Sequence, residues 1–435
     1  MNIMELRKYD QIDEIVYYEK LDNGLKVYLI PKKTYNKTYA LFATKYGSID
    51  NRFVPYGKEE YEIMPLGIAH FLEHKLFETK EGIDAANILT NLGAQANAYT
   101  NYTTTAYLFS TTDKVFEALN VLLDFVQEPY FTDENVAREQ GIIEQELKMY
   151  LDIPSEQLRL GLLKNMFKEH YINQDIGGTV ESIKEITKEK LYTVYETFYH
   201  PSNMVLVVVG NFDVNECIKT IRNNQQNKQF HPITNIKREY LCEDNQVVNS
   251  YGEVKMDILM PKVAVGLKLP YEGLSGEELL KQELLLKILL EDVFGTTSNN
   301  YQEMLDKELI TRSFSTNIFV EQTAGFLMIS TDTLKDDEFA NYVKEKLLSL
   351  NSIKMSKNNF NRYKKVILGN FIKSLNYLEY IANSFIYYHF KEVDIFKVLD
   401  IIEKLTYNDL KLLEKYFVKK AISIFKVLPK NIVKQ

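Results

Sequence analysis

The chain has 435 residues, 45% hydrophobic and 26% charged, the balance of a folded protein rather than a disordered or fibrous one, and a length that favours two domains. A net charge of −8 without a long run of one sign argues against a nucleic-acid partner, and no stretch reaches the ~20 apolar residues of a membrane-spanning helix. Cys217 and Cys242 are the only cysteines, which excludes a disulfide framework or thiolate zinc cage. With a charged N-terminus that lacks a signal-like apolar run, they point to the reducing cytoplasm.

In chain order, "LKVYLI" (25–30) and "YALFAT" (39–44) are short runs of strand-forming residues. Residues 65–79 have helical spacing, with Ile68, Phe71, Leu72 and Leu76 apolar. A second helix runs from Ala85 to Leu92 and stops at Gly93, and strand-like runs follow at 96–100 and 105–110. Helical spacing returns at 133–151 and 186–199, and "VLVVV" (205–209) is a buried strand. Residues 215–250, with "NNQQNKQFHP", are polar and turn-rich and predict a linker.

The remainder reads as a worn copy of the first part. Thr187, Leu191 and Phe198 recur in spacing as Thr406, Leu410 and Phe417, 219 positions on, and "TAYLFST" at Thr105 is matched near the same offset by "TAGFLMIST" at Thr323. The fold expected is α+β: two homologous α/β sandwich domains, each a mostly antiparallel sheet with helices packed on one side. Residues 1–214 would form the first domain, 215–250 the linker and 251–435 the second.

The segment "GIAHFLEHKLFE" (67–78) places two of the six histidines, His70 and His74, one helical turn apart. On a helix these positions lie about 6 Å apart on one face, so both rings can aim at one point, as a zinc ion requires. Glu73 sits near the same face, where its carboxylate can take a proton from water on the ion's open position. The order His-x-x-Glu-His inverts the commoner zinc-protease pattern. A helix that merely satisfies two histidines remains the alternative until a third ligand is found. Glu139 and Glu146, seven apart in the helix 133–151, share a face near Ile142 and Ile143, although such a pair more often marks a solvated surface.

Together these residues resemble the pitrilysin or insulinase family of inverzincins, in particular its bacterial two-domain branch, which is similar to mitochondrial processing peptidase. The resemblance covers nearly the whole chain and includes "YGSID" at Tyr46, "GAQANAYTNYTTTAY" at Gly93 and "FYHPSNMVLVVVGNFD" at Phe198. It implies Zn2+ held by His70, His74 and Glu146, with Glu73 as general base and Glu139 supporting the site. It also implies an edge strand in which Asn97 and Ala98 pair with the backbone of a peptide substrate. The remaining histidines read as structural: His170 and His231 at the surface, His200 at a helix end, His389 near a core.

At the repeat offset "HFLEH" falls on Leu289 to Val293, and with the apolar register of the later helix kept (Ile142 and Ile143 over Val366 and Ile367) Glu139 and Glu146 fall on Tyr363 and Asn370, so the second domain is expected to lack metal ligands. The family resemblance places an Arg and a Tyr there, seven residues apart, as donors to the substrate carbonyl. Alignment puts Leu305 and Arg312 at those positions. The resemblance therefore implies a homologous zinc-less subunit supplying the donors in a heterodimer, or a homodimer, or partial substitution by Arg312. The function expected is a zinc metalloendopeptidase acting on peptides or extended segments in a size-limited chamber. The alternative is a non-catalytic scaffold or peptide-binding subunit of a peptidase-like heterodimer.

Overall fold

The computed structural model describes residues 4–233 and 235–430. The chain forms two compact units, and neither is contiguous. The first comprises residues 1–147, 175–240 and 372–390, and the second comprises 148–174, 241–371 and 391–435.

The sheet of the first unit has seven strands, in the order Glu5–Tyr9, Glu14–Lys20, Lys26–Pro31, Met204–Gly210, Thr38–Thr44, Thr105–Thr111 and Gln95–Thr100. Its pairs are antiparallel except Lys26–Pro31 with Met204–Gly210. The five-stranded sheet of the second unit runs Tyr251–Met256, Ile422–Pro429, Lys262–Leu269, Gly325–Asp332, Ser315–Val320. Again only the first of these pairs is parallel. The second sheet thus reproduces the last five strands of the first in order and direction, the fold-level form of the repeat visible in the sequence.

Alternate residues of the first sheet, among them Val27, Leu29, Ala40, Phe42, Phe109, Leu206 and Val208, bury against helices on one face. Those helices contribute Leu72, Leu76, Leu119, Leu122, Ile143, Leu191 and Ile218 to the same core. The opposite face is covered as well. The helix Leu378–Phe390 lays Phe385 on Tyr28 with ring centroids 4.4 Å apart, and Asn383 donates to the Tyr39 hydroxyl at 3.3 Å. This explains why "VLVVV" is apolar without alternation, since a strand buried on both faces has no polar side. In the second unit the helix Pro154–Met166 takes the corresponding place against Tyr251–Met256, Lys262–Leu269 and Ile422–Pro429. A Cβ on Gly161 would lie 2.2 Å from the Phe425 ring, so only glycine lets helix and strand meet this closely.

Contiguous domains of 1–214 and 251–435 therefore do not describe these units. The helices Leu378–Phe390 and Pro154–Met166 each come from the sequence half that the other unit was expected to own. The segment 215–250 is also more ordered than a linker, because Val214–Gln226 is a helix of the first unit that buries Cys217, Ile218, Ile221 and Gln225. All but Val214 of its remaining positions are polar, which is why composition alone reads as loop.

His170 corrects a surface assignment. It is 2% exposed in the second unit, its Nδ1 accepts from the Ile172 N–H at 3.1 Å, and its Nε2 lies 3.0 Å from the Thr323 hydroxyl. His200 caps the turn Pro201–Asn203 as its position before a proline suggests. His389 packs at the edge of the Tyr28 and Phe385 cluster.

Candidate metal centre

The helix Ile68–Leu76 begins at Gly67, whose φ of 84° is left-handed and whose Cβ, were there one, would lie 2.2 Å from the Gly177 carbonyl. Ile68, Ala69, Phe71, Leu72 and Leu76 anchor the helix in the core. That anchoring fixes where His70, Glu73 and His74 project. The histidine rings stand 4.6 Å apart at 64°.

The helix Asp133–Leu151 completes the arrangement. Ile143 and Leu147 are buried and turn Glu139 and Glu146 inward, whereas Ile142, expected on that face, is 49% exposed. Glu146 Oε1 lies 3.9 Å from His70 Nε2, and Glu146 Oε2 lies 3.7 Å from His74 Nε2. One ligand atom from each of His70, His74 and Glu146 falls within 4.8 Å of the others, and this is the one such group among the described residues. Bonds of ~2.0–2.2 Å at tetrahedral angles put zinc ligands about 3.4 Å apart, so the three atoms need only small adjustments to share an ion. Two imidazole nitrogens and one carboxylate are also the donor types of catalytic zinc sites, which leave a fourth position open.

Electrostatics acts in opposite directions on the two rings. Burial, with the adjacent His74, pushes His70 down to about 4, so it is neutral and able to bind metal near pH 7. Its Nδ1 is buried and has no hydrogen-bond partner among the described residues. For His74 burial acts downward, but the Glu139 hydrogen bond and charge outweigh it and hold the ring above its ordinary range. Glu139 Oε1 is 3.0 Å from His74 Nδ1, which leaves Nε2 for the metal point. Burial pushes the Glu73 carboxyl up, against the opposing pull of the Thr100 hydroxyl and His74.

Two contributors were not singled out in the sequence. Lys75 is fully buried, with Nζ 2.5 Å from Glu78 Oε2 and 4.0 Å from Glu139 Oε2. Glu78 is gripped in turn by Arg138, with both oxygens at 2.7 Å. A lysine flanked by His74 and Leu76 on a buried helix was the visible signal. The second contributor is Thr100, whose hydroxyl donates to Glu73 Oε2 at 2.8 Å.

Asn97 and Ala98 lie on Gln95–Thr100, the terminal strand of its sheet, paired on one side with Thr105–Thr111. The Asn97 Oδ1 accepts from the Ala98 N–H at 2.9 Å, so a peptide pairing there must displace this side chain. In the second unit the positions matching "HFLEH" lie in the helix Gly276–Phe294, where Leu289, Leu290 and Val293 are buried core residues. Leu305 ends up 40% exposed on the helix Asn299–Asp306, and Arg312 is exposed in the turn before Ser315–Val320.

Comparison with known proteins places the whole chain in one family. Residues 59–180 match the family model described as Insulinase (Peptidase family M16), and residues 185–367 match the Peptidase M16 inactive domain. The protein named zinc protease YmfH of Bacillus subtilis (strain 168), described as uncharacterized, is 46% identical over 98% of this chain and 99% of its own length. A crystal structure of an M16-like peptidase from Alicyclobacillus acidocaldarius superposes with a TM-score of 0.91 at 35% identity, covering 99% of both chains. An Arabidopsis thaliana protein named as mitochondrial-processing peptidase subunit beta is 29% identical over 54% of this chain and 44% of its own length. The chain belongs to the insulinase family of peptidases, family M16.

Proposed function

We propose that this protein is a zinc metalloendopeptidase that cleaves peptides or extended segments within a size-limited chamber, in the reducing cytoplasm. The observation that carries the reading is the convergence of His70 Nε2, His74 Nε2 and a Glu146 carboxylate oxygen, with Glu73 one residue before the second histidine. A zinc ion bound there would polarise the scissile carbonyl and make water acidic enough to attack near neutral pH. Glu73 would serve as the general base that takes a proton from the attacking water and returns it to the leaving amine, a role consistent with a carboxyl raised by burial. Glu139 holds His74 through Nδ1. The free edge of Gln95–Thr100, at Asn97 and Ala98, aligns the peptide by strand addition.

Charge that develops on the substrate oxygen requires donors. With Leu305 and Arg312 where the family's Arg and Tyr are expected, we assign those donors to a homologous zinc-less subunit, so that the working form is a heterodimer. The discriminating experiment uses a quenched-fluorescence peptide with zinc-loaded wild type, a chelator-treated control and Glu73→Gln. Chelator-sensitive cleavage, with a loss of kcat of roughly 10²-fold or more in a zinc-retaining Glu73→Gln protein, is expected. Zinc binding without cleavage, with or without a partner subunit, would instead identify a scaffold or peptide-binding subunit.

A further inference from the structure

The hydrogen bond between Thr100 and Glu73 joins two parts of the site that the sequence presents as separate. Glu73 belongs to the helix Ile68–Leu76, whereas Thr100 is the last residue of the edge strand Gln95–Thr100. Their oxygens are 2.8 Å apart. A hydroxyl has one hydrogen, and two acceptors lie within its reach: Glu73 Oε2 and the Thr105 oxygen at 3.4 Å. Thr105 is fully buried, pairs with Thr100 across the strands, and sends its own hydrogen to the Tyr46 carbonyl at 3.0 Å. The shorter contact to a carboxylate is the stronger, so the Thr100 hydrogen goes to Glu73.

Threonine is also suited to hold that direction. Its branched Cβ restricts χ1, so the hydroxyl is aimed by the strand rather than by a mobile side chain. A carboxylate with one oxygen held cannot swing freely, and its other oxygen remains available to take a proton. We propose that Thr100 is a positioning residue for the general base: it fixes the Glu73 carboxylate and ties its orientation to the strand on which the peptide docks. This rests on the reading of Glu73 as base.

The test compares Thr100→Val, which keeps the branched shape and removes the hydroxyl, with Thr100→Ser, which keeps the hydroxyl. Each is measured for kcat and KM on the quenched peptide, for zinc content, and for affinity toward a peptide hydroxamate, a metal-binding group whose hydroxyl also donates to a base carboxylate. Thr100→Val is expected to lower kcat and hydroxamate affinity about 10-fold or more, with KM and zinc content within about 2-fold of wild type. Thr100→Ser should recover most of both. Placed on Glu73→Gln, Thr100→Val should add little, because the group it positions is already disabled.

Wild-type kcat and hydroxamate affinity in Thr100→Val would overturn the proposal. So would equal losses in Val and Ser variants accompanied by lost zinc, which would mark a packing role, or a full additional loss on Glu73→Gln. Failure of the underlying reading looks different: Glu73→Gln itself would leave kcat and hydroxamate affinity unchanged, and Thr100 would then have no base to position.

Discussion

His74 and Glu139 form the closest bond between the two helices of the candidate metal centre, Nδ1 to Oε1 at 3.0 Å. In the proposed zinc site Glu139 would act on the ion through the ring it orients, while its second oxygen faces the buried Lys75 ammonium. Glu139→Ala should weaken zinc binding by roughly 10- to 100-fold without abolishing it. Competition against a chelator of known affinity reads this directly, and unchanged zinc affinity would remove Glu139 from the support of His74.

The ligands themselves should behave differently. His74→Ala and Glu146→Gln each leave two of three protein ligands, and zinc copurifying at about one per chain in wild type should fall to near background. Elemental analysis of the purified variants measures it. Full occupancy in His74→Ala would show that the ion sits elsewhere.

The absence of the expected Arg and Tyr at Leu305 and Arg312 bears on turnover rather than on metal. Losing one oxyanion donor elsewhere costs roughly 3 to 4 kcal/mol, so the isolated chain should be slow. Adding a homologous subunit that carries the pair should raise kcat by about 10²-fold, and Arg312→Ala should have little effect. High activity from the chain alone, lost in Arg312→Ala, would establish that the site is self-sufficient.

Acid should destabilise the second unit through His170. Burial pushes this ring down to about 4, with Glu243 acting upward and Lys268 downward, while the unfolded value is near 6.5. Between those values the unfolded chain binds the proton and the folded chain does not, so stability falls as pH drops through that window and is fully present above it. Protonation would also break the acceptor role of Nδ1 toward Ile172. The loss is on the order of 3 kcal/mol. His170→Gln should flatten the pH dependence of urea midpoints between about 4 and 6.5.

How much of this was legible in the sequence depended on whether the signal was local. The spacing of His70, Glu73 and His74 states a shared face outright, and the strand runs at 25–30 and 39–44 were apolar enough to read. Glu146 could be singled out, but its approach to the histidines depends on Ile143 and Leu147 anchoring a second helix. The roles of Lys75 and Thr100 lie in what faces them, Glu139 for Lys75 and Glu73 for Thr100, and those partners are distant in the chain. His170 misled for the opposite reason: its sequence neighbours Lys168 and Glu169 are exposed, while its own ring is packed by residues far away in the chain.

The placement of Leu378–Phe390 on the first sheet has a consequence for biosynthesis. A nascent chain that has emerged through Gly210 possesses every strand of that sheet, yet the face bearing Tyr28 and Tyr39 stays bare until Asn383 and Phe385 have been made, more than 170 residues later. A fragment ending near residue 214 would expose that apolar face permanently. The unit that carries the candidate metal centre is thus a topological unit that cannot be harvested by truncation, and a ribosome paused between these points holds a surface prone to aggregation until the late helix arrives.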